Sequence, residues 1–142
     1  MQKREAIRYP ETSSGQVLNN AKEILRRTPI EDNIYADIKP VQEACSTAYL
    51  AVLKAIDEYL LKKGLTKKEL PQPVVSKANP SIDAYRDALK KHLAIHNDKL
   101  TKEFEVLYDE LHIAGYYRGN LSHTKVVKEV FKSAKEFIEK IK

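Results

Sequence analysis

The stretch YDELHIAGYYRGNLSHTKVVKEVFKSAKEFIEKIK, residues 108–142, decides the fold. It begins with the end of one amphipathic segment. A Tyr-rich turn follows, bracketed by Gly115 and Gly119. From about residue 122 a second amphipathic pattern runs to the end. Val126, Val127, Val130, Phe131, Ala134, Phe137, Ile138 and Ile141 recur there at three- and four-residue intervals, the period of one helix face. Two such helices joined by a short turn bury their stripes by packing on each other and on further helices.

Working backward, Leu100, Phe104, Leu107, Tyr108 and Leu111 form the inward face of the preceding helix, with Asn97 or Asp98 as its cap. Ile82, Tyr85, Leu89 and Leu93 do the same for a shorter helix opening near Asn79, Pro80 or Ser81, and the two read equally as one kinked helix. Before them, residues 64–80 form the longest break, a Pro-containing exposed loop. The clearest helix lies earlier still. Val41, Ala44, Cys45, Ala48, Tyr49, Val52, Leu53, Ile56, Tyr59 and Leu60 make one broad stripe. Asp37 is its N-cap, Pro40 sits in its first turn, and Gly64 ends it. Residues 29–37 read as a connection. Ser13 and Gln16 have capping-box spacing ahead of Val17, Leu18, Ala21, Ile24 and Leu25. A short helical turn within 1–12 stops at Pro10. No segment shows a strand pattern. The expectation is an all-α, antiparallel bundle of four to five helices, in one domain spanning residues 1–142.

Composition limits the function classes. The chain has 142 residues, 42% hydrophobic and 32% charged, a globular balance. It contains no apolar run of membrane-span length and no signal-peptide core, so the cytoplasm is expected and no membrane partner. Cys45 is the sole cysteine, which excludes an intrachain disulfide and a multi-cysteine metal site. Its place on an apolar stripe makes it a small buried hydrophobe rather than a reactive thiol. The net charge is +5, but acids interleave with most of the bases, as on a mixed-charge surface.

Three segments carry a resemblance: LNNAKEIL (18–25), YADIKPVQEACSTAYLAVLKAIDEYL (35–60), and the stretch from YRDALKKH through LYDELHIAGYYRGN to AKEFI (85–138). In order and spacing they resemble a family of small bacterial helical proteins of unknown function. The departures are PETSSGQ (10–16), which reads as an inserted loop, and the extended 66–80 loop. The layout also looks like the HEPN superfamily, whose helical domains accompany nucleotidyltransferases or act as RNases. Active members of that superfamily use an Arg, four to six residues, then a His at a dimer seam.

Arg118 and His123 fit that spacing and are the candidate RNA-contacting pair; Arg86 and His92 fit it too. Arg would stabilise charge on a phosphodiester and His would move a proton. The spacing is unspecific, since 25 basic residues and four His make chance matches common. The structural alternative is a solvated Arg118 and a His123 in the first turn of the last helix. His92 and His96 stand four apart, a spacing that suits one metal, but no third ligand is evident, so no metal site is assigned. Tyr108, His112, Tyr116 and Tyr117 are candidates for a pocket or a subunit interface, where Tyr is enriched. No nucleophilic triad, phosphate-cradling loop or dinucleotide fingerprint is present, so no catalytic residue, cofactor or small-molecule substrate is assigned. The expected function is a non-enzymatic interaction or scaffold bundle that forms a homo-oligomer. The alternative is a HEPN-like RNA-processing or toxin–antitoxin component.

Overall fold

Helix α1 (Ser14–Arg26) starts where Ser13 stops the extended chain, its Oγ accepting from the Gln16 N–H at 3.1 Å. The Ser13 cap expected from the sequence is therefore present. Ser14 adds a tertiary tie: its N–H and Oγ donate to the Glu58 carboxylate at 2.9 and 2.7 Å. Leu18, Ala21 and Leu25 bury the inner stripe. The computed structural model describes residues 13–71, 73–74, 79–80, 82–92 and 94–142; the helical turn expected within 1–12 lies outside them.

The segment after α1 is a small hairpin, not a plain connection. Strands β1 (Ile30–Glu31) and β2 (Ile34–Tyr35) pair antiparallel. Asp32 and Asn33 take φ of 52° and 67° in a two-residue loop. Asp and Asn tolerate the left-handed region better than other non-Gly residues, and this loop type matches the twist of paired strands. Two-residue strands are too short to leave an alternating pattern. Strands β3 (Pro73–Val74) and β4 (Asn79–Pro80) likewise pair within the long loop.

Helix α2 (Ile38–Lys62) is the central element. Asp37 Oδ1 accepts from the Lys39 N–H at 3.1 Å, with Pro40 inside the first turn. Eleven of its residues are buried, from Val41 to Leu60, because α1, the last helix and a π-helix all pack on it. Gly64, at φ 105°, turns the chain beyond the helix end. Helices α3 (Ile82–His92) and α4 (Ala94–Leu107) follow; residue 93 between them and the side chains of residues 93–97 lie outside the described residues, and so does the question of one kinked helix. The His92–His96 pairing therefore falls partly outside what is described.

Helix α4 continues as a π-helix (Tyr108–Tyr117), and α5 (Thr124–Ile141) closes the bundle. Phe104, Leu107, Leu111, Val127, Phe131, Phe137 and Ile141 meet the α2 stripe in one continuous core. The result is an all-α bundle. Two expectations shift here. Val126 is 47% exposed rather than inward, because the buried face of α5 is centred on Val127, Val130, Ala134 and Ile141 and Val126 stands at its edge. Gly115 lies inside the π-helix, so only Gly119, at φ 62°, belongs to the turn.

Candidate functional site

The widened backbone of residues 108–117 sets the site. In a π-helix each carbonyl accepts from the residue five ahead; the Arg118 N–H still reaches the Ile113 carbonyl at 2.9 Å in this way. Side chains four apart come to lie nearly one above another. Tyr108, His112 and Tyr116 accordingly form a ladder. Centroid separations are 5.4 Å for Tyr108–His112 and 5.9 Å for His112–Tyr116, with near-parallel planes. Tyr49 of α2 enters from the side, 5.0 Å from the His112 ring and 5.9 Å from Tyr108. Half-burial among these rings lowers the His112 pKa, which keeps the imidazole neutral near pH 7. Burial raises the Tyr49 phenol above its ordinary range.

A glycine makes this approach possible. A Cβ on Gly115 would stand 2.6 Å from Cys45 Sγ and 2.8 Å from its Cβ, so any side chain would push the π-helix off α2. Cys45 is correspondingly buried, and burial pushes its thiol up to about 12, which removes the thiolate at neutral pH. The inert reading of this cysteine is thereby supported.

Polar groups flank the inner end of the ladder. The Arg86 guanidinium forks onto Glu105 at 2.6 and 2.8 Å, reaches Asp83 at 3.1 Å, and lies 5.5 Å from the Tyr108 ring centre. These partners raise its pKa further, with the Glu105 hydrogen bond foremost. The fork accounts for Arg86 as a structural group, so it is not free to pair with His92 on a phosphodiester. Nearby, Tyr85 donates its hydroxyl to Asp57 Oδ2 at 3.2 Å, while Asp57 Oδ1 is buried without a hydrogen-bond partner among the described residues. Desolvation raises the Asp57 pKa to about 6, against the lowering effect of Tyr85 and Lys54.

At its outer end the ladder reaches solvent. Tyr116 is 43% and Tyr117 75% exposed. They border an open groove of about 540 Å³ with the start of α2. Gln42 spans the boundary, donating Nε2 to the Tyr116 carbonyl at 2.9 Å. Lys39, Glu43, Ser46 and Thr47 supply the rest of the α2 wall.

Arg118 and His123 lie beyond this groove, on the connection to α5, and both are exposed. Arg118 ends the π-helix. His123 is the N-cap of α5: its Nδ1 accepts from the Lys125 N–H at 3.2 Å. A bridge to Ile34, with Tyr35 N–H donating to the Ser122 carbonyl at 2.8 Å, pins this connection to the hairpin. While it caps the helix, Nδ1 is occupied by the Lys125 N–H and is not free to take a proton from a substrate. Among the described residues no group of three or more His, Cys, Asp or Glu gathers as metal ligands, and no helix is long and apolar enough to cross a membrane.

The structure thus brings together three of the four residues suspected of lining a pocket or interface, and sets Tyr117 at its rim. Sequence reading missed Tyr49, Gln42 and Asp57. Tyr49 was visible only as one member of the α2 stripe, and nothing in the residue pattern marked the π-helix that brings His112 to it.

A family model described as "Domain of unknown function (DUF5618)" matches residues 5–142, and the chain belongs to that family. A solved structure of a protein of unknown function from Dyadobacter fermentans is similar, with 29% identity, coverage of 94% of this chain and 93% of that one, and a TM-score of 0.69. No curated protein matches the chain.

Proposed function

We propose that this member of the DUF5618 family works by association: a bacterial, cytoplasmic helical-bundle interaction protein that assembles with itself. One observation carries the reading. The π-helix ends by presenting two exposed tyrosines at the edge of an open groove. Tyrosine combines a large apolar face with a polar tip and loses few rotamers on contact, which is why it concentrates at interfaces. The rest of the ladder is locked by stacking, so the tyrosines are offered on a rigid mount.

A second reading, an RNA-processing component of HEPN type, draws on Arg118 and His123 sharing one exposed connection. The capping role of His123 weighs against it as a base.

Sedimentation of three proteins separates the two: wild type, Tyr116→Ser/Tyr117→Ser, and Arg118→Ala/His123→Ala. Self-association is expected in the first and third and reduced in the second. Binding or cleavage of structured RNA that is lost in the Arg118/His123 variant would replace the association reading with the RNA one.

A further inference from the structure

Within that reading, the groove itself carries information about what covers it. Its α2 wall bears one cation, Lys39, and one anion, Glu43, a single helical turn apart. Lys placed N-terminal to Glu is the weaker order for an intrahelical pair, and neither residue has an ion-pair partner among the described residues. A groove with one charge of each sign has no net attraction for a polyanion such as RNA. It fits a partner that presents the two charges in the opposite order. A second copy of the chain, turned about a two-fold axis, presents that pattern, because in an isologous contact residue i meets j while j meets i.

We infer that the groove between α2 and the end of the π-helix is a two-fold seam, covered by the same groove of a second copy. Lys39 of each chain faces Glu43 of the other, and the exposed Tyr116 and Tyr117 fill the space beside them. This inference rests on the self-association reading but can fail separately from it.

The decisive experiment uses two single variants, Lys39→Glu and Glu43→Lys, alone and mixed, followed by sedimentation equilibrium, with helicity checked by circular dichroism. Each variant alone sets like charges against each other, and juxtaposed like charges cost enough to weaken self-association by about tenfold or more. The two mixed together restore both attractions, so a heterodimer of near wild-type strength is expected. Lys132→Glu, on the exposed side of α5, is expected to associate as wild type does. If wild type associates and the single variants associate equally well, the seam lies elsewhere and this inference falls while the association reading stands. If the mixture fails to recover, the reciprocal pairing is wrong. If wild type remains a monomer, both fall. RNA bound at the groove and lost in Lys39→Glu would also overturn the inference.

Discussion

Gly115 and Asp57 show how single residues set the behaviour of the site. Gly115 lets α2 and the π-helix touch through Cys45. Gly115→Ala is expected to destabilise the protein by about 1–3 kcal/mol, the usual cost of forcing extra volume into a packed contact. The loss is expected to shrink in a Cys45→Ala background, because the two sites share that contact; denaturant midpoints of the four proteins test both. Asp57 acts through pH. Its folded pKa, about 6, lies above the ordinary 3.8, so the folded state holds the proton more tightly than the unfolded chain. The stabilising contribution of the protonated carboxyl is complete below 3.8 and is lost as pH rises through about 6. Burial raises Glu110 too, with the same sign, whereas His112, with its pKa lowered, loses stability as pH falls below 6.5. Subtracting the stability–pH curve of Asp57→Asn from that of wild type isolates the Asp57 part. The difference is expected to favour the variant increasingly between pH 4 and 7; a flat difference contradicts the buried-carboxylate account.

Among the described helices, α3 buries few residues. Tyr85 and Leu89 are its buried residues, and its ties include the Arg86–Glu105 fork, the Tyr85–Asp57 hydrogen bond and the Tyr59 hydroxyl on the His92 carbonyl. Arg86→Ala is expected to speed amide exchange in α3 well before it alters exchange in α2, since locally held elements open below the global free energy. Equal acceleration throughout would mean that the fork supports the whole core. Helices of this kind were largely legible in the sequence. The Ser13 and Asp37 caps, the α2 stripe and the Gly64 exit all follow from spacing and residue type. The hairpin and the π-helix were not legible. A two-residue strand has no period, and residues 108–117 retain the apolar spacing of an ordinary helix. What distinguishes them is the pairing of Gly115 with Cys45, seventy positions apart in the chain, and no local pattern encodes that. The same gap explains why Tyr108, His112 and Tyr116 could be suspected as a group while their stacking on Tyr49 could not.

For the whole molecule, the core and the association surface are separable. The buried stripe of α2 faces α1, α5 and the π-helix, while its Lys39, Gln42, Glu43 and Ser46 side lines the groove. Substitution of Tyr117, which stands outside the ladder, is therefore expected to change assembly with stability altered by less than about 0.5 kcal/mol, the range of surface changes away from special features. Core truncation such as Phe104→Ala, at a fully buried ring, is expected to cost about 3–5 kcal/mol. We propose that the chain unfolds as one domain, since one apolar cluster runs through α1 to α5 among the described residues; thermal scans read by ellipticity and by tyrosine fluorescence should then coincide. The most direct test of the account is the solution mass of the unmodified protein, measured by light scattering through the micromolar range. A chain of 16.3 kDa that assembles by itself is expected to move from its own mass towards twice that value as concentration rises. A mass that stays at 16.3 kDa throughout would contradict self-association and leave the exposed tyrosines without the role assigned to them.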